Sequence, residues 1–165
     1  MWVQGPRSAS NLTSHMAFVF FCRISLHKAG YGVGTRAFEL ITFREGKNYK
    51  RPATQLALLQ YLQNSLWRAL FGHAAHGVEK STGDVNEFYL YDKDPITNRF
   101  ISVPRSVGTG FNAASYIAGI VNGALDVAGM PAEVAALWNA DQTMTVYSVK
   151  FIQTDFVAEV QTANS

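Results

Sequence analysis

The stretch that most restricts the fold of this chain is residues 111–130, FNAASYIAGIVNGALDVAGM. It is 20 residues long, carries one charge and contains three glycines. A membrane-spanning helix needs about 20 mostly apolar residues. Asn122 and Asp126 interrupt the run, and such groups are costly inside a bilayer. The stretch is therefore predicted to be a helix of a water-soluble domain rather than a membrane span.

On a helical wheel, the same stretch separates into a broad apolar half and a thin polar half. Ser115, Gly119 and Gly123 recur every four residues on the thin side, and such a row of small residues lets another backbone approach closely. Each glycine inside a helix costs about 1 kcal/mol relative to alanine. That cost predicts a close neighbour for the row, either within the fold or from another chain. Gly129 and Pro131 are predicted to end this helix.

Two further helices are predicted upstream. The first runs from Val33 to Arg44, and the three glycines of residues 30–34 are predicted to turn the chain before it. The second follows the N-cap Thr54 and stops at Gly72. Its apolar stripe has helical spacing and consists of Leu56, Leu59, Leu62, Leu66 and Leu70. Trp67 and Phe71 lie beside the stripe, so they are predicted either to pack in the core or to form an edge that faces a partner.

The apolar pattern then changes to the alternation that is typical of strands. Residues 87–92 (EFYLYD) and 99–104 (RFISVP) flank a turn at Asp94-Pro95 and predict one hairpin. Residues 133–138 and 143–151 predict a second hairpin, in which Thr145, Tyr147, Val149 and Phe151 share one face. Two hairpins and several helices predict an α+β fold with a four-stranded antiparallel sheet and helices packed on it.

The length of 165 residues suits one domain, which is predicted over residues 12–152. Residues 1–11 and 153–165 are predicted to be loose tails. Residues 16–22 (MAFVFFC) form an apolar run that is short for a signal sequence, so this segment is predicted to be buried. Cys22 is the only cysteine of the chain, which excludes an internal disulfide and fits a reducing compartment.

Composition favours a subunit of an assembly. Only 16% of the residues are charged, against about 25% in ordinary soluble domains, so another molecule is expected to cover part of the surface. The charge is +6 over residues 1–51 and −4 over residues 52–165, unlike a nucleic-acid-binding protein. The densest basic patch contains Arg44, Lys47, Lys50 and Arg51. It is interpreted as a solvated loop or as a contact for anionic lipid or an acidic partner.

No constellation of catalytic residues stands out. His73 and His76 lie three residues apart after a helix stop, and no HExxH or CxxC motif accompanies them. Asp92 and Asp94 flank a proline turn and, with Glu87, are expected to cap or solubilise the first hairpin. The sequence therefore predicts a protein that is not an enzyme and has no cofactor and no metal site.

Two blocks resemble the small-subunit family of the transport protein particle (TRAPP), a vesicle-tethering complex, and within it the subunit 5 branch. They are FYLYDKDPITNRFISVP and NAASYIAGIVNGALDVAGMPAEVAALW, and the shorter LWRALFG and GYGVGTR fit the same pattern. The resemblance covers residues 29–152 and implies the family fold, an α/β plait with an antiparallel sheet.

The resemblance also implies a role in assembly. Small TRAPP subunits associate side by side into a rod, and the complex activates a Rab GTPase by nucleotide exchange in the early secretory pathway. Subunit 5 is a structural member between subunits 2 and 3, so no residue that contacts the GTPase is carried over. The expected location is cytoplasmic, peripheral at the cis-Golgi and endoplasmic reticulum, with no nucleic-acid partner.

The N-terminal part departs from the family pattern. CRISLHKA (residues 22–29) is shorter than the helical passage that the family has there, and MWVQGPRSA is not family-like. A related subunit carries an acylated cysteine and an apolar channel, but Cys22 lies in the departing region, so this property is not transferred. A domain that binds a small ligand or lipid in an apolar pocket stays open as an alternative, as does exchange activity of this chain alone.

Overall fold

A computed structural model describes residues 9–102, 111–141 and 143–152, with side chains from residue 16 onward. The first part contains one long helix, a 3-10 turn and a broken second helix: α1 (Ala9–Glu45), Gly46–Asn48, α2 (Gln55–Tyr61), a π-helical turn (Leu62–Leu66) and α3 (Trp67–Phe71). The second part contains four strands, one short helix and one long helix: β1 (Gly77–Lys80), β2 (Glu87–Asp92), α4 (Ile96–Arg99), α5 (Ser115–Val127), β3 (Ala132–Trp138) and β4 (Thr145–Phe151).

The predicted four-stranded antiparallel sheet is confirmed, and its strand order is β1-β2-β4-β3. Burial alternates along each of the three longer strands because successive side chains point to opposite faces. The inner face carries Leu90, Val134, Tyr147 and Val149, all buried against the helices. The predicted shared face of β4 is confirmed, since Thr145, Tyr147, Val149 and Phe151 are all buried.

The prediction of the first hairpin was wrong in its second strand. The partner of β2 within its hairpin is β1, whose Lys80 pairs with Phe88, and not residues 99–104. Downstream of Pro95 the chain forms the helical turn α4, and Arg99 hydrogen-bonds back to Asp94. The β1 sequence GVEK ends in two exposed charged residues, so alternation of apolar residues could not reveal it. Residues 103 and 104 lie outside the described residues.

The first helix is much longer than predicted. It passes through the glycines of residues 30–34 without a turn, so the predicted chain turn is wrong and the helix does not begin at Val33. Residues 9–11 of the predicted tail belong to α1, whereas residues 1–8 and 153–165 lie outside the described residues. Glycine lowers helix stability without forbidding a helix, and here close packing against α5 compensates.

The second predicted helix is interrupted by the π turn, which changes its buried face. Its boundaries are confirmed: Thr54 accepts a hydrogen bond from the Ala57 N–H, and Gly72 adopts a left-handed conformation with φ of 80°. A π turn inserts one residue and rotates all later side chains. Trp67 is therefore fully buried, whereas Leu70 is exposed, and Leu56 at the first turn is exposed as well.

Candidate functional site

The small-residue row of α5 packs against α1 of the same chain. Gly119 lies so close to α1 that an added Cβ would be 2.8 Å from the His27 carbonyl carbon and closer still to its oxygen. At Gly123 an added Cβ would be 3.0 Å from the Thr35 nitrogen and would also overlap the Tyr31 carbonyl. The row therefore allows two helix backbones to touch, and its close neighbour is internal.

The contact is reciprocal, because α1 contributes its own glycines. An added Cβ at Gly30 would be 2.9 Å from the Tyr116 carbonyl carbon, and one at Gly34 would be 2.7 Å from the Ile120 carbonyl carbon. Gly32, on another face of α1, has no neighbour within 4 Å of an added Cβ. Glycine is thus required at 30 and 34 by the packing of α1 on α5, and not at 32.

One polar contact holds the start of α5, and another joins α5 to α1. Ser115 is buried and its hydroxyl donates to the Asn112 carbonyl at 2.8 Å, where α5 begins. Toward the other end, the Tyr31 hydroxyl donates to Asp126 at 2.5 Å. This hydrogen bond raises the pKa of Tyr31 above its ordinary value, because ionised Tyr31 would lose a donor and face a carboxylate.

Trp67 and Phe71 pack against the core of the chain. Trp67 is fully buried, and its ring meets Phe71 and Tyr147 edge-on with centroids 5.4 and 5.7 Å away. Its indole N–H donates to the carboxylate of buried Asp92 at 3.3 Å. Burial, with Asp92 nearby, raises the pKa of Tyr147 well above its ordinary value. Phe71 is half-buried against the same core.

The remaining polar residues singled out in the sequence make local contacts. Asp92 also accepts from the Asp94 N–H at 3.2 Å and lies 3.6 Å from the His76 ring. Glu87 accepts from Ser148, and the His73 ring centroid lies 6.4 Å from that of His76. Within residues 9–102, 111–141 and 143–152, no group of three or more potential ligands could hold a metal ion.

The four residues of the basic patch do not act alike. Arg51 donates to the Ala128 carbonyl at 3.1 Å, so it holds the C-terminal end of α5, where a cation is favoured. Arg44, Lys47 and Lys50 are exposed. The structure thus separates Arg51, which has a contact within the chain, from three cations that face solvent.

The apolar run at the N-terminal end of α1 is not buried, contrary to prediction. Only Val19 reaches the core, at 9% exposure, because a straight helix can place one face against the sheet and α5. Cys22 is half-buried, and the five other large apolar side chains from 16 to 24 are exposed: Met16 (71%), Phe18 (61%), Phe20 (66%), Phe21 (68%) and Ile24 (50%). We call these five residues the α1 apolar surface. None of the described helices is long and apolar enough to cross a membrane.

The same half of α1 covers the edge of the sheet. Arg23 donates to the Ala136 carbonyl at 3.2 Å, and His27 lies beside Val134. Burial lowers the pKa of His27, and an interaction with the Val134 backbone opposes the effect. Because β3 is an edge strand, these contacts occupy groups that could otherwise pair with another strand.

A cavity of about 420 Å³ opens between α1, α5 and β3. Ala118 and Val134 form an apolar part of its lining. Arg23, His27 and Lys28 line it as well. Its position beside the covered edge of β3 means that α1 forms one wall. The sequence leaves an apolar pocket open as an alternative, but its position could not be predicted, because no local pattern indicates that residues 20–28 and 134–136 meet.

A family model described as "Transport protein particle (TRAPP) component" matches residues 10–154. Trafficking protein particle complex subunit 5 of Dictyostelium discoideum is 39% identical over 111 residues, covering 67% of this chain and 59% of that protein. The human subunit 5 is 36% identical over 117 residues, covering 71% and 61%. The chain thus spans about six tenths of the length of these relatives.

The fold also resembles a solved structure. It is similar to a crystal structure of trafficking protein particle complex subunit 3 from Naegleria fowleri covalently bound to palmitic acid, with a TM-score of 0.71 and 17% identity. The match covers 87% of this chain and 90% of the other. At this sequence identity, the similarity is evidence for a common fold only.

Proposed function

The chain belongs to the transport protein particle (TRAPP) component family, and on that basis we propose that it is a non-catalytic scaffold subunit of a TRAPP vesicle-tethering complex. In this role it occupies the subunit 5 position beside subunits 2 and 3. The assembled complex promotes nucleotide exchange on a Rab GTPase, while this chain supplies contacts. It works on the cytoplasmic side of Golgi and endoplasmic reticulum membranes as part of the complex.

The observation that supports a scaffold role is the α1 apolar surface. Residues 16–21 are apolar around the whole helix, and such a segment is normally covered by protein. Exposed apolar patches of this kind mark surfaces that bind other molecules. Phe18 and Phe21 each keep more than half of their surface in solvent, so their burial by another subunit would contribute to binding.

The test is capture of partner subunits from cell lysate by the tagged full chain. We expect subunit 2 or subunit 3 in the captured material, and we expect the double variant Phe18→Ser/Phe21→Ser to lose them. Phe100→Ser is the matched control, because Phe100 is 83% exposed and lies outside α1. If the parent chain captures neither subunit, the scaffold assignment is wrong. Capture that survives the double variant would instead reject the α1 apolar surface as the contact.

A second function has its own support, the apolar cavity between α1, α5 and β3. In this alternative the chain binds a small apolar ligand or lipid there. Native mass spectrometry of the purified chain decides between a stoichiometric bound ligand and an unliganded mass. Nucleotide release from the cognate Rab with this chain alone should show no acceleration, and acceleration would contradict the non-catalytic role.

A further inference from the structure

The cavity between α1, α5 and β3 is continuous with the α1 apolar surface. Phe20 and Ile24 belong to both, since they line the cavity and are also 66% and 50% exposed. These two residues are four positions apart and therefore lie on one face of α1. Phe18 is two positions before Phe20, which places it about 200° away around the helix. A molecule that covers the whole α1 apolar surface must therefore contact the cavity side of α1 as well as its outer side.

The exposed area favours a partner that contacts both sides. Side chains of this size have about 200 Å² of surface each, and exposed fractions of 50–71% leave roughly 600 Å² of the α1 apolar surface in solvent. A stable interface buries about 800 Å² on each partner. One side of α1 alone supplies roughly half of what such an interface needs, so the lining of the cavity is needed to complete it.

The charge around the cavity is positive and is not neutralised by its lining. Arg23, His27 and Lys28 are among the ten lining residues, none of which is Asp or Glu. No ion pair within the described parts of the chain involves any of these three side chains. The bond from Arg23 to the Ala136 carbonyl holds its guanidinium group beside the cavity. A carboxylate that enters with an apolar group would therefore find charged donors there.

We propose that this cavity receives an aromatic side chain of a protein partner, and that a carboxylate stands next to that side chain in the partner. The aromatic ring packs against Ile24, Ala118 and Val134, while the carboxylate pairs with Arg23 and Lys28. Aromatic side chains seated in pockets of this kind carry much of the binding energy of protein interfaces. A small ligand in the cavity would leave Phe18 uncovered, whereas a protein covers both. The inference rests on the proposed scaffold function and describes the feature that the partner subunit carries.

The experiment is quantitative capture of subunits 2 and 3 from cell lysate by the tagged full chain, with a variant that fills the cavity. Ala135 is exposed and lines the cavity, so Ala135→Trp occupies it from the side of β3. Leu137→Trp is the matched control, because Leu137 is exposed on the same face of the same strand and does not line the cavity. We expect Ala135→Trp to reduce the captured subunit at least about tenfold, and Leu137→Trp to reduce it by less than about twofold. Both positions are exposed, so thermal unfolding should stay near that of the parent.

A second pair of variants tests the carboxylate. Lys28→Glu should reduce capture roughly fivefold or more, whereas Lys93→Glu, at an exposed cation elsewhere, should change it by less than about twofold. If Ala135→Trp or Lys28→Glu captures as much as the parent, the proposal is overturned while the scaffold function stands. If the parent captures neither subunit, both are wrong. A lipid bound to the parent in native mass spectrometry and lost in Ala135→Trp, with capture unchanged, would assign the cavity to a ligand and overturn the proposal as well.

Discussion

Alanine substitutions at Gly32 of α1 and at Gly119 of α5 should have effects of opposite sign. Gly32→Ala adds a methyl group where an added Cβ has no neighbour within 4 Å. Gly119→Ala adds the same group 2.8 Å from the His27 carbonyl carbon and 3.0 Å from its Cα. Both changes remove a flexible residue from a helix, so intrinsic helix propensity favours both variants equally.

The magnitudes follow from these distances. Gly32→Ala should stabilise the chain by about 0.5–1 kcal/mol. Carbon atoms in contact prefer about 3.5–4.0 Å, so Gly119→Ala forces α1 and α5 apart by about 0.7 Å or more. A gap of that size weakens the other glycine contacts of the same interface as well. We expect a loss of about 3 kcal/mol, the upper end for overpacking.

Thermal unfolding of the purified full chain measures both variants. At roughly 2–4 °C per kcal/mol for a chain of this size, Gly119→Ala should lower the Tm by about 6–12 °C and Gly32→Ala should raise it by about 1–4 °C. A larger pair repeats the comparison: Gly119→Leu should be far more damaging than Gly83→Leu, where the nearest atom to an added Cβ is 4.0 Å away. If Gly119→Ala and Gly32→Ala unfold within about 1 °C of each other, the close-approach argument is refuted.

Three other substitutions test the core, the surface charge and the sheet edge. Trp67→Phe should lower the free energy of unfolding by about 3 kcal/mol, because it leaves a cavity and removes a donor from buried Asp92, while half-buried Trp138→Phe should cost about 1 kcal/mol or less in the same urea titration. The pKa of Asp84 is lowered by the Asn86 N–H and then by Lys150, so its contribution to stability is present at neutral pH and is lost as pH falls below about 4 through the lowered pKa. In the Asp84→Asn variant, the free energy of unfolding should therefore decrease less steeply as the pH falls in the acidic range. An unchanged pH dependence would contradict this assignment. Arg23→Ala frees the Ala136 carbonyl at the edge of β3 and should increase concentration-dependent self-association in light scattering, whereas exposed Arg36→Ala should not.

The spacing of apolar residues predicted those elements of the fold that have a clear local sequence pattern. The α5 helix, the β3–β4 hairpin and the cap at Thr54 each have a local pattern that the structure confirms. The β1 strand and the continuous α1 could not be predicted in this way. GVEK has no apolar alternation, and glycines inside a helix look like a turn until the backbone that packs on them is known.

For the contact surfaces, too, the sequence predicted that a contact exists but not which part of the molecule makes it. The small-residue row was predicted to have a close neighbour, but only the fold identifies that neighbour as α1. For Trp67 the sequence leaves a partner-facing edge open beside packing in the core, because the π turn that rotates it inward leaves no signal in the leucine spacing. An apolar run such as MAFVFFC indicates that something covers it, and not whether the cover comes from the same chain.

The pairing of α1 with α5 also determines when this chain can fold during synthesis. Tyr31 and Asp126 are hydrogen-bonded although they are 95 residues apart, so α1 has no partner helix until α5 has left the ribosome. At about 5–20 residues per second, that interval lasts roughly 5–20 s. For this time Val19 and Phe38 of α1, which are buried in the folded domain, and the glycines of α1 have no helix packed on them. Until α5 docks on α1, the nascent chain is therefore a better substrate for chaperones than the folded domain.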